Sequence, residues 1–129
     1  MSKAPKISIV DDDESVRIST EGLLRSFGFV TCSFASAEEF LASPCLDETS
    51  CLISDVQLPG MSGIDLHNQL IARQCAIPVI FITAFPEEIT RKSATQAGAI
   101  GFLSKPFDGQ NLIDCLKVAV QSGQRRGNN

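Results

Sequence analysis

Five short apolar runs recur along the chain, and each is followed by a polar or glycine-marked break and then by a stretch of helical periodicity. The first, Ile7-Ser8-Ile9-Val10, reads as a buried strand. Behind it Val16, Thr20, Leu23, Leu24 and Phe27 share one helical face, which predicts a helix over residues 14–27 with Gly28 at its C-cap. Residues 29–34 form a second strand, less apolar and so placed nearer a sheet edge. Ser36 and Glu39 make a capping box that opens a short helix through Phe40 and Leu41. Pro44 ends it, and residues 47–50 read as a polar loop. Residues 51–54 give a third strand, and the helix after it, residues 63–72, buries Leu66 and Leu70.

Pro78-Val79-Ile80-Phe81-Ile82 is apolar throughout, the mark of a strand covered on both faces. A helix is expected from near Pro86, since proline suits the first helical position, and it ends before Gly98. Its body offers little bulk to bury and is expected to be the most loosely held helix. Residues 100–103 give the last strand. A final helix over 109–121 packs Leu112, Leu116 and Ala119. Residues 1–5 read as a poorly ordered lead-in, and 122–129 as a tail or the start of a linker to an absent output domain, leaving 1–121 as the domain. Strand and helix alternating five times predict a parallel sheet with helices on both faces. With right-handed crossovers, the doubly wound order 2-1-3-4-5 is the expected topology.

Composition adds mainly exclusions. The 129 residues suffice for one domain with its own core. No apolar run approaches the ~18 residues of a membrane span, and no signal-peptide pattern opens the chain. A net charge of −4 argues against direct nucleic-acid binding. The five cysteines (Cys32, Cys45, Cys51, Cys75 and Cys115) are widely spread, without zinc-ligand spacing. They are expected to be reduced, mostly buried thiols of a cytoplasmic protein.

The chemistry lies at the strand ends. Asp11-Asp12 follow the first strand, Asp55 the third, Thr83 the fourth and Lys105 the fifth. In this topology all of them face the crevice at the switch point between strands 1 and 3. Two like charges ~4 Å apart cost about 4 kcal/mol at an effective dielectric of 20, so three carboxylates need a compensating cation. Mg2+ suits few carboxylates and several waters. A carboxylate beside Mg2+ and a lysine can attack a phosphoryl group, giving an aspartyl phosphate. The bland alternatives are a helix-capping loop for residues 11–14, an ordinary strand threonine and a surface lysine; the joint placement outweighs them.

These residues resemble the receiver domain of two-component response regulators over residues 6–120. The points of likeness are Val10-Asp11-Asp12, Asp55 with Leu58-Pro59-Gly60 and Gly63, Ile82-Thr83-Ala84, and Phe102-Leu103-Ser104-Lys105-Pro106-Phe107. The segments Gly63-Ile64-Asp65-Leu66 and Lys105-Pro106-Phe107 look closest to the FixJ-like subfamily. The resemblance implies a CheY-like fold and a phosphorylation-controlled switch with Asp55 as phosphoacceptor, served by a sensor histidine kinase. It implies Mg2+ held by Asp11, Asp12, Asp55 and the backbone carbonyl of Gln57, with Thr83 and Lys105 on the phosphoryl oxygens. Thr83 and Phe102 would be the switch pair, and the bond before Pro106 would be cis. An output domain or downstream effector would read the surface of the fourth helix and fifth strand. Control of transcription, possible phosphorylation-dependent homodimerisation and a cytoplasmic location follow from the same resemblance. The resemblance also implies that the positions of Gln57 and Phe85, variable within the family, tune phosphate lifetime. Because Phe85 cannot orient water by a hydrogen bond, a comparatively long-lived phosphate is expected.

Such a domain is not an enzyme with turnover on a free substrate. The rival classes are an aspartate-nucleophile phosphohydrolase, a flavodoxin-like electron carrier, and a stand-alone receiver acting as phosphate sink or shuttle. A hydrolase wants an aspartate where Gln57 stands, and residues 11–14 would repel a flavin phosphate. His67 reads as a surface residue, and Asp65, Asp108 and Asp114 as solvated.

Overall fold

The computed structural model describes residues 4–127, with side chains as far as Gln121. Five strands, β1 (Lys6–Val10), β2 (Val30–Phe34), β3 (Cys51–Asp55), β4 (Val79–Thr83) and β5 (Gly101–Ser104), pair in parallel in the order β2-β1-β3-β4-β5. The helices are α1 (Glu14–Ser26), α2 (Ala37–Leu41), α3 (Gly63–Ala72), α4 (Glu88–Gln96) and α5 (Gly109–Gly127). The predicted topology and the edge position of β2 are both present.

Strand residues alternate between two cores. Ile7, Ile9, Ile53, Ile80 and Ile82 face α1 and α5, where Leu24, Leu112, Ile113 and Leu116 close over them. Val10, Leu52, Val79 and Phe81 face the other way, toward Phe40 of α2, Leu66 and Leu70 of α3 and Ala94 of α4. The three central strands are apolar on both sides because both sides are covered.

Several boundaries differ from expectation, for local reasons. The polar loop after Pro44 is a 3-10 turn, Pro44–Glu48, capped by the Ser43 side chain, which accepts from the Cys45 amide at 3.0 Å. Helix α4 begins at Glu88 instead of Pro86, because the Glu87 amide turns back to the Phe85 carbonyl at 2.8 Å and Glu87 stays extended. Helix α5 runs on to Gly127 through part of the expected tail. Gln and Arg there are good helix formers, and one glycine costs only about 1 kcal/mol. Residues 1–3 of the lead-in and 128–129 of the tail lie outside the described residues. Phe27 is exposed, since it caps α1 and has left the helical stripe. His67 is buried, not superficial: with Gly63, Leu66 and Leu70 it completes the inner face of α3, edge-on to the Phe81 ring at 5.6 Å. Of the cysteines only Cys51 is buried; the other four are half-buried. Among the described residues no helix is long and apolar enough to cross a membrane.

Candidate functional site

The strand ladder sets the site. Beyond the strand ends, the Asp11 amide donates to the Phe34 carbonyl (3.1 Å), the Val56 amide to Ile82 (3.0 Å) and the Lys105 amide to Thr83 (2.7 Å). The chain therefore stays in register as it leaves the sheet, and Asp11, Asp55, Thr83 and Lys105 emerge side by side. Asp11, Asp55 and Thr83 are buried, and Asp12 is exposed at the rim.

Lys105 ties the acids together. Its Nζ donates to Asp55 Oδ2 at 2.7 Å and stands 2.9 Å from Asp11 Oδ2. The second contact is an ion pair by distance but is not aligned as a hydrogen bond, so Asp11 Oδ2 remains a buried oxygen without a donor. Asp11 Oδ1 accepts from the Asp13 amide at 2.9 Å, and Asp55 Oδ1 from the Gln57 amide at 3.0 Å. Burial pushes the Asp55 carboxyl above its usual range; the Lys105 hydrogen bond pulls the other way, and the Asp11 charge adds to the rise. Burial alone would lower the Lys105 ammonium, but its hydrogen bond to Asp55 and the negative charge of Asp11 beside it hold it above the ordinary value. One lysine thus leaves the carboxylates undercompensated. Ligand oxygens of Asp11, Asp12 and Asp55 all lie within 4.8 Å of one another. An all-oxygen set with an orphaned buried oxygen fits a hard divalent cation.

Two residues of the 11–14 run are structural. Asp13 caps α1, accepting from the Ser15 and Val16 amides at 2.9 and 3.3 Å, so the bland reading is right for that residue. Glu14 begins the helix. The Lys105–Pro106 bond is cis.

Three contributions were not foreseen. The Gln57 side chain accepts from the Thr83 hydroxyl at 2.8 Å, while Thr83 Oγ1 accepts from the Phe85 amide at 3.0 Å. The sequence assigns Gln57 only a backbone carbonyl for the cation and a place near the phosphate, not this side-chain bond. Arg17, one turn into α1, donates to the Asp11 carbonyl at 2.6 Å. Glu38 of α2 accepts from the Met61 amide at 3.0 Å and braces the loop after Asp55, where Gly60 (φ 77°) leaves room for it. The short spacing from Asp11 to Arg17 was a usable signal for the second; Glu38 and Met61 are too far apart in sequence for any pattern to pair them.

Gly63 fixes the back of the site. A Cβ there would collide with the Asp55 carbonyl oxygen and stand 3.0 Å from Ser54 Oγ, so α3 starts hard against the end of β3. Ser54 Oγ donates to the same carbonyl at 2.9 Å. Phe102 lies diagonally across the β4–β5 pair from Thr83, opposite Phe81 and on the same face of the sheet. It is half-buried, with the Arg91 guanidinium of α4 5.2 Å over its ring.

A doubly wound sheet with these acids, hydroxyl and ammonium at its carboxyl edge defines a signalling receiver class. The sequence pattern of the response regulator receiver domain matches residues 7–117, and the chain belongs to that family. Nodulation protein W of Bradyrhizobium diazoefficiens is 42% identical over 120 residues, which are 93% of this chain and 53% of that protein. The response regulator StyR superposes with a TM-score of 0.87 at 41% identity, covering 98% of this chain and 64% of that one. FixJ-N superposes at 0.83 with 33% identity, covering 93% and 96%. The chain spans between about a quarter and about half of the length of the curated relatives it matches.

Proposed function

We propose that residues 1–121 form a switch module in which Asp55 accepts a phosphoryl group from a phosphohistidine of a sensor kinase. The observation that carries this reading is the Lys105 ammonium shared between Asp55 and Asp11, beside the exposed Asp12. An Asp55 oxygen attacks phosphorus, the P–O bond forms, the P–N bond to the donor imidazole breaks, and the imidazole leaves with its electron pair. Lys105 then holds one phosphoryl oxygen, and the Thr83 hydroxyl turns from Gln57 to another. Asp11, Asp12, Asp55 and the Gln57 carbonyl would hold Mg2+, which when bound neutralises charge gathering on the phosphoryl oxygens.

Thr83 carries one hydroxyl proton, so its bond to the phosphoryl group replaces its bond to Gln57. That exchange is transmitted to Phe102, the diagonal neighbour on the same face, and to α4 through Arg91 over the Phe102 ring. The altered α4–β5 surface controls an output, transcription being favoured by the regulators among its relatives, through a following domain or a homodimer formed there. The cytoplasm, where a kinase and ATP are available, is the compartment this requires.

Incubation with Mg2+ and acetyl phosphate, followed by intact mass measurement, tests the reading. One added phosphoryl group, absent in Asp55→Asn, is expected. Continuous turnover of phosphate esters would identify a hydrolase instead, and no adduct would leave a degenerate receiver. Loss of the phosphate within seconds, without a phosphatase, would overturn the lifetime assigned from Phe85. Light scattering with beryllofluoride and Mg2+ tests the dimer; an unchanged mass would count against it.

A further inference from the structure

The two half-buried thiols of Cys32 and Cys45 lie on the second face of the sheet, away from the phosphoacceptor crevice. Their Sγ atoms are 2.7 Å apart, well inside the ~3.5–4.0 Å at which unbonded heavy atoms usually rest. We propose that this pair is an oxidisable site that closes to an intramolecular disulfide by exchange with a small-molecule disulfide such as oxidised glutathione.

Both sulfurs are held in place by their backbones. Cys32 sits in the middle of β2, its Cα paired with Ser8 of β1. Cys45 lies in the 3-10 turn Pro44–Glu48, and both of its peptide groups are engaged. Its amide donates to Ser43 Oγ at 3.0 Å, and its carbonyl accepts from Thr49 Oγ1 at 2.6 Å. The turn is in turn anchored on β1 through Ser8 and Thr49, whose hydroxyls are 2.7 Å apart, and through the Lys6–Glu48 ion pair. The thiols therefore meet because two anchored backbones bring them together. Among the described residues no other two cysteine thiols are joined by a hydrogen bond. Cys51 is sealed in the core, and burial pushes its thiol up to about 12, which leaves it inert.

The exchange balances without a further reagent. One thiolate attacks the glutathione disulfide and expels one glutathione thiolate; the second thiol loses its proton, attacks the mixed disulfide and expels the other. The protein dithiol is oxidised by two electrons, and one oxidised glutathione becomes two reduced ones. The sulfurs need only close from 2.7 Å to the ~2.05 Å of the bond. Burial, followed by the contact with Cys45, pushes the Cys32 thiol up to about 11, so the exchange is slow at neutral pH and quickens as pH rises. The closed loop contains all of α2, including Glu38, which braces the Met61 amide behind Asp55. Oxidation thus fixes a helix that touches the site without altering any residue in it.

The full chain is equilibrated with mixtures of oxidised and reduced glutathione, and followed by non-reducing intact mass and peptide mapping. The expected result is loss of two hydrogens, one crosslinked peptide joining Cys32 and Cys45, and a Tm raised by roughly 5–15 °C. Dithiothreitol should reverse all three, and C32S or C45S should abolish the crosslink and the Tm rise. Mapping on the unsubstituted chain decides the matter even if a serine variant folds poorly. A crosslink through other cysteines, glutathione adducts that never close, no mass loss in a large excess of oxidised glutathione, or a disulfide that leaves Tm unchanged would each overturn the proposal.

Discussion

The two faces of the sheet are built to different standards. On one, α1 and α5 are the longest helices, and they set Leu24, Leu112, Ile113, Leu116 and Ala119 fully out of water against the isoleucines of β1, β3 and β4. On the other, α2, α3 and α4 have only five, ten and nine residues, and α4 buries no side chain but Ala94. Its N-cap, Glu87, makes no side-chain hydrogen bond, and its Ile89 is 78% exposed. Thr83 and Phe102 open onto this second face. The proposed switch would repack α4 when one hydroxyl changes partner, and such an element is released cheaply only if little apolar surface holds it, as is the case for α4.

The contrast is sharpest in truncation energies. Leu112→Ala or Leu116→Ala should cost about 2–5 kcal/mol in urea unfolding, whereas Ala94→Gly in α4 should cost only about 1 kcal/mol. Equal losses on both faces would abolish the distinction. Next in size, Lys105→Met leaves Asp11 and Asp55 facing each other without their cation, a loss of about 1–3 kcal/mol. Added Mg2+ should restore more stability to that variant than to the parent chain, as Tm in the two conditions will report.

Smaller effects probe the coupling between the faces. A double-mutant cycle of Gln57→Ala and Thr83→Val should return a coupling of about 0.5–1.5 kcal/mol, the value of one hydrogen bond. A coupling near zero would mean that Thr83 is not held by Gln57 in solution. The least effect is at His67. Burial lowers its pKa below the ordinary 6.5, so the folded state binds its proton less readily than the unfolded chain does. The stability this supports is present above pH 6.5 and is lost as pH falls through the lowered folded value. His67→Phe, which keeps an aromatic ring against Phe81, should show a smaller acid-side drop in urea midpoint.

Much of this was legible along the chain. Strand existence, strand order and the convergence of Asp11, Asp55, Thr83 and Lys105 follow from where apolar runs stop, because a parallel sheet sends every strand end to one edge. The loose packing of α4 was visible as small and polar residues over 90–97. What the pattern could not carry were contacts that depend on side-chain reach. The Gln57–Thr83 bond joins residues 26 positions apart, and nothing in a glutamine says which hydroxyl it will meet. His67 was misplaced because a lone histidine was judged by type; its spacing from Gly63, Leu66 and Leu70 put it on the inner stripe. The start of α4 was missed because a proline signal was read without the Phe85–Glu87 turn that delays it.

Gly63 sets a limit on how this site could be redesigned. With the first residue of α3 lodged against the carbonyl of Asp55 and the hydroxyl of Ser54, no side chain can be introduced there without moving Asp55, the proposed phosphoacceptor. The helix side of the crevice therefore has no adjustable position close to Asp55. The exposed loop residues, Gln57 above all and Phe85 beside Thr83, can be exchanged freely without shifting the backbone that carries the acid. Variation in reaction rate among engineered versions of this domain should accumulate on the loops, while residue 63 stays a glycine in every version that keeps its chemistry.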